Sequence, residues 1–160
     1  MKAEHMEPFV SAAFSVMQML TGDVPTRGSL SLRTTTFTSE QVTIMAGVNG
    51  DVEGMAMYGM STETAKQIAG AMIGSEVPKL DEMAMSAISE LGNMITGNAT
   101  TLISQKGYDV DITPPSVIRG EQVEVSTRVP AIVVPMNTQF GKVEINVALA
   151  ENTSASSKVA

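Results

Sequence analysis

The segment from Asp81 to Lys106 constrains this chain most, because it is the longest stretch of unbroken helical periodicity. At about 100° per residue, Ala84, Ile88, Leu91, Ile95, Asn98 and Leu102 fall within about 80° of arc. Such a stripe must be buried against another layer, so the rest of the chain has to supply one. Glu90, Asn93, Gly97, Thr101 and Ser104 share a different face, and Glu90 and Asn93, three residues apart, are neighbours on it. Gly92 and Gly97 each cost roughly 1 kcal/mol relative to Ala in a helix interior. Two readings follow. One is a solvated face whose glycines pack against a strand. The other is a contact or catalytic face that a second surface approaches closely. Asn98 lies inside the apolar stripe and reads as a buried structural residue with hydrogen-bond partners of its own.

The layer is supplied mainly by strands. Met6 to Leu20 predicts a first helix, with Pro8 in its first turn and Gly22 as its stop. Residues 29–37 alternate and are rich in Thr, which predicts one strand. Val42 to Val48 and Val52 to Met60 predict two more, joined by Asn49-Gly50 in a turn that needs φ > 0 at both positions. Thr62 to Ile73 reads as a short helix capped by Ser61 or Thr62 and stopped by Gly74. After the long helix, Gly107 is the stop and Pro114-Pro115 forces extended backbone. Ser116 to Ile118, Val123 to Arg128, Ala131 to Met136 and Val143 to Leu149 read as strands, the last two joined through Gln139-Phe140-Gly141-Lys142. Residues 1–150 are expected to form one domain, and the polar stretch 151–160 a disordered tail.

A repeat is visible in this order. Ser11-Ala12 to Thr21-Gly22 lines up with Ser86-Ala87 to Thr96-Gly97, and Gly50-Asp51-Val52-Glu53 resembles Gly141-Lys142-Val143-Glu144. Two copies of a helix-then-strands unit would explain both matches.

Composition removes several function classes. There is no cysteine, hence no thiolate nucleophile or thiolate metal site, and the single histidine is His5, near the N-terminus. A zinc site rich in His and a Ser-His-Asp triad built on a core histidine are therefore not expected. The formal net charge of −7 repels phosphate backbones, so no nucleic-acid partner is expected. No apolar run reaches the roughly 18 to 20 residues that cross a bilayer, and no leader is read at the start, so the cytoplasm is the expected compartment, with no membrane partner. The thirteen methionines read as core filling.

Ser89-Glu90-Leu91-Gly92-Asn93-Met94-Ile95-Thr96-Gly97-Asn98-Ala99 closely resembles the signature helix of the CheC/CheX/FliY family, whose shared core is E-x-x-N. The resemblance extends back through Gly50-Asp51-Val52-Glu53-Gly54 and Ser61 to Gly74, and forward through Pro115-Ser116-Val117-Ile118-Arg119-Gly120. At the 75-residue shift, Ser15 stands where Glu90 stands and Gln18 where Asn93 stands, so the first helix holds S-x-x-Q. A single copy of the motif is the CheX pattern.

The resemblance implies an α+β, CheC-like fold: a largely antiparallel sheet packed with two long helices, with internal pseudo-twofold duplication. It implies a phosphatase acting on the aspartyl phosphate of a CheY-like response regulator, and a homodimer. Asn93 is then the residue that places the attacking water, since a carboxamide both donates and accepts. Glu90 is the docking residue, paired with a lysine of the partner. No cofactor of its own is implied, and the divalent metal (Mg) comes from the response regulator. The alternative is a non-catalytic module on the same fold that docks on a response regulator or flagellar switch component.

Overall fold

In the computed structural model, residues 3–152 are described. The chain runs α1 (Ala3–Thr21), β1 (Thr26–Arg27), β2 (Ser31–Arg33), β3 (Thr36–Thr38), β4 (Val42–Gly50), β5 (Val52–Met60), α2 (Thr62–Ile73) and α3 (Glu82–Ser104). It continues with β6 (Val110–Ile112), β7 (Ser116–Arg119), β8 (Glu124–Ser126), β9 (Ala131–Thr138) and β10 (Gly141–Glu151). Every strand pairing is antiparallel. The main sheet has the order β1-β9-β10-β5-β4-β6, with β2 on β9 and β7 on β4, and β3 pairs with β8 as a separate ribbon. Exchanging β1–β5 for β6–β10 maps this whole set of pairings onto itself. A duplicated helix-then-strands unit would pair in this way. Among the described residues, no helix is long and apolar enough to cross a membrane.

The core lies between the helices and one face of the sheet. Val143, Ile145, Val147 and Leu149 of β10 and Ile132, Val134 and Met136 of β9 point into it at strand spacing. Phe9, Ala13, Val16 and Met17 of α1 and Ile88, Leu91, Ile95 and Ile103 of α3 meet them. Tyr58 is fully buried with its hydroxyl 2.7 Å from that of Thr96, fixing α3 to β5. Burial pushes the Tyr58 hydroxyl far above its ordinary pKa, so it stays a neutral partner for Thr96.

Several expectations are corrected. α1 begins earlier than Met6, which puts Pro8 in the second turn. Having no N–H, Pro8 cannot donate to the Glu4 carbonyl, and Lys106 Nζ donates there instead at 3.1 Å. Residues 29–37 form two short strands, β2 and β3, because the chain leaves β9 after Arg33 to pair with β8. The first hairpin does not use a two-residue turn. Gly50 has φ +120° but Asn49 does not have positive φ, and Asp51 extends the connection by accepting from Asp109 N. β6 was not expected at all. β10 continues one residue past the predicted domain end, to Glu151, and residues 153–160 of the predicted tail lie outside the described residues.

Asn98 is exposed rather than buried. The buried residues of α3 include Ala84, Ile88, Leu91, Gly92, Ile95, Thr96, Ala99 and Ile103. On the wheel they span about 140°, centred about 50° from the predicted stripe. The helix packs on α1, α2 and β4 together, so its buried arc is wider and rotated, and Asn98 falls off the edge.

The two glycines of α3 also part ways. A Cβ on Gly92 would sit 2.3 Å from Ile44 Cγ2, whereas one on Gly97 meets nothing within 4 Å. Gly92 is thus the close approach of α3 to β4. Gly97→Ala is expected to raise stability by about 0.5–1 kcal/mol, the helix-propensity gain. Gly92→Ala should instead lower it by about 1–3 kcal/mol, because overpacking against Ile44 outweighs the same gain. Paired urea melts check the opposite signs.

Candidate active site

Asp81 caps α3 by accepting from Ala84 N at 2.9 Å, which fixes where the helix starts and hence which way its faces point. Leu91 and Gly92 are buried between Glu90 and Asn93, and this burial turns Glu90 and Asn93 outward. Both are exposed, one helical turn apart, as the sequence predicts. They line a groove of about 710 Å³ whose helical wall also carries Glu82, Met85, Ser86 and Ser89. The opposite wall is Ile112, Thr113, Pro114 and Pro115, the crossover from β6 to β7.

Ile112 pairs with Val48 of β4, and Thr113 carries the attachment of that wall one residue further. Thr113 N donates to the Gly47 carbonyl at 3.0 Å, and Gly47 N donates to Thr113 Oγ1 at 2.8 Å. A Cβ on Gly47 would lie 3.1 Å from the Thr113 side chain, a tight approach of that wall to the strand. The prolines that follow have fixed φ and no N–H to satisfy, which gives a stiff wall without a ladder. Sequence reasoning found the prolines but not their placement opposite Glu90 and Asn93. Only β6, three residues long, brings them there, and three residues carry too weak a pattern to be read as a strand.

Chemically, the face offers a carboxylate and a carboxamide with no nucleophile between them. The lining residues include no Lys, Arg, His or Tyr. A carboxamide orients a water through both its donor and its acceptor, and a carboxylate one turn away attracts a cation. The repeat-matched Ser15 and Gln18 are also exposed, on α1, and do not line this groove.

A second polar cluster lies at the far end of α3. Glu4, His5 and Glu151 bring ligand-type atoms within 4.8 Å of one another, with the Tyr108 hydroxyl 2.8 Å from Glu4 and 3.2 Å from Glu151. The hydrogen bond to Glu4, with the two negative charges, pushes the Tyr108 hydroxyl up to about 12. Sequence reasoning dismissed His5 as terminal and missed this meeting, which the adjacency of α1 and β10 creates with Tyr108 beside them. Fourteen residues of helix, about 21 Å, separate Glu90 from the end of α3 at Ser104, so the cluster is no part of the groove.

Residues 42–137 match the family model described as chemotaxis phosphatase CheX. The chain is 32% identical over 128 residues to the CheY-P phosphatase CheX of Thermotoga maritima, covering 79% of this chain and 83% of that protein. Among solved structures, a CheX-CheY-BeF3-Mg2+ complex from Borrelia burgdorferi matches with a TM-score of 0.79 and 31% identity, over 92% of this chain and 98% of that one. A CheC-like superfamily protein from Shewanella sp. PV-4 matches with a TM-score of 0.84 at 23% identity, over 94% and 99% of the two chains, which shows the shared CheC-like α+β fold.

Proposed function

The chain belongs to the CheX family of chemotaxis phosphatases, and from that premise we propose that it hydrolyses the aspartyl phosphate of a CheY-like response regulator. The observation that carries this reading is the exposed Glu90 and Asn93, side by side on a face of α3 that opens onto a preformed groove. In the reading, the regulator supplies the phosphoaspartate and the divalent metal that neutralises its charge. This chain supplies position. The Asn93 carboxamide accepts from and donates to one water, holding it in line with the phosphorus. Placing a nucleophile in this way removes several kcal/mol of barrier without any new covalent chemistry. Glu90 docks against a cationic side chain of the regulator and so sets the register in which Asn93 meets the phosphoryl group. The deciding measurement is phosphate release from a phosphorylated CheY-like receiver with and without this protein. Release no faster than the receiver's own would leave a docking module without catalysis.

We also infer a homodimer. Val24, Leu30 and Leu32, near the β1–β2 edge of the main sheet, are 66%, 51% and 72% exposed. An open sheet edge flanked by apolar side chains calls for a cover, and a second copy provides one. Sedimentation at micromolar concentration should show a dimer, and a Leu32→Lys variant should shift it to monomer. A monomer in the wild type under those conditions refutes the inference.

A further inference from the structure

The groove beside Glu90 and Asn93 is longer than the pair needs. From Glu82 to Asn93 its helical wall spans eleven residue steps, about 16 Å. Glu82 stands at one end and Glu90 near the other, eight residues and about 12 Å apart. Between them on the helical wall lie Met85, Ser86 and Ser89. Neither carboxylate lies within ion-pair distance of a Lys or Arg among the described residues. The first turn of a helix favours an acid at Glu82, but that contribution leaves the carboxylate facing water beside the groove. The opposite wall is stiff, pinned by Thr113 to Gly47 and made of two prolines. A partner entering it finds the shape already formed and meets little ordering cost.

We propose that this groove is a second contact for the response regulator: it seats the segment bordering the regulator's phosphoaspartate, with a cationic side chain against Glu82. The inference rests on the phosphatase reading of Glu90 and Asn93 and extends it along the same wall. The regulator would present two cations about 12 Å apart, one to Glu90 and one to Glu82. Two separated charge pairs fix orientation as well as position, and discriminate against receivers that lack the second cation.

The test uses the whole protein and a CheY-like receiver loaded with beryllofluoride and Mg2+. Glu82→Gln, which keeps shape and removes charge, should weaken binding by about three- to tenfold at low salt, and the difference should shrink as salt rises. Ser86→Trp, at an exposed position of the helical wall, should weaken binding at least tenfold at any salt by filling the groove. Asn93→Ala is the control that separates the two readings. If it abolishes phosphate release while folded Glu82→Gln and Ser86→Trp bind like wild type, the groove inference is overturned and the catalytic reading stands. If Ser86→Trp loses binding but the wild type releases no phosphate, the groove is upheld and the catalytic reading falls. Wild type that binds no receiver at all overturns both.

Discussion

Asn93→Ala is expected to slow phosphate loss from the bound regulator on the order of a hundredfold while leaving affinity nearly unchanged. The reason lies in when the interaction is made. The water is held in line only as the phosphoryl group begins to transfer, so removing the carboxamide raises the barrier, by about 2.7 kcal/mol for a hundredfold, and barely touches the ground-state complex. Exposure of Asn93 makes the substitution safe for the fold, since it removes no packing from the core. Glu90→Ala should behave differently. A docking carboxylate acts in the ground state as well, so affinity and rate should both fall, and less so at high salt. Ser15→Ala and Gln18→Ala, exposed on α1 at the positions that the 75-residue shift matches to Glu90 and Asn93, should leave the rate within about twofold. Binding and single-turnover phosphate loss on all four variants decide the matter. If Gln18→Ala abolishes turnover and Asn93→Ala does not, the active face belongs to α1.

Much of this was legible from residue order. Ser61, Gly22 and Gly74 act as the cap and stops their chemistry predicts, because capping is settled within four or five residues of chain, whereas α3 ends at Ser104 with Gln105 as its cap, short of the predicted Lys106 and Gly107. The exposed face of Glu90 and Asn93 was legible for the same reason: a long helix repeats its geometry, and the five apolar positions of the stripe outvote the one misplaced Asn98. What failed needed partners distant in sequence. Asn98 was misplaced because the arc that α3 buries is set jointly by α1, α2 and β4, and no wheel holds that information. The break between β2 and β3 depends on β9 giving way to β8, some 90 residues on. Gly92 and Gly97 look alike in sequence, and only Ile44 separates their roles. The groove needed β6, whose three residues bring Pro114 and Pro115 opposite α3.

Gly54→Ala should cause the largest loss of stability of any alanine substitution considered for this chain. Gly54 sits in β5 at the middle of the sheet, opposite Leu149 of β10 and Val48 of β4. Its φ is +147°, a conformation L side chains rarely adopt, and an added Cβ would lie 1.9 Å from the Ala148 carbonyl oxygen. The obstacle is backbone, so no rotamer change relieves it. Either β5 flattens and loses its register with β10, or the two strands separate at the join between the halves of the sheet. Strain and collision together are expected to cost roughly 3 kcal/mol or more, a fall in melting temperature of about 6–12 °C for a domain of this size. Gly74→Ala is the matched comparison. It also has positive φ, at +86°, but a Cβ there meets nothing within 4 Å, so its cost should be about 1–2 kcal/mol from conformation alone. The difference between the two melts isolates the collision. Turnover per folded molecule should stay at the wild-type value in Gly54→Ala, because the residue is absent from the groove lining. A Gly54→Ala protein that melts no lower than Gly74→Ala would mean that β5 and β10 do not pair in the register described.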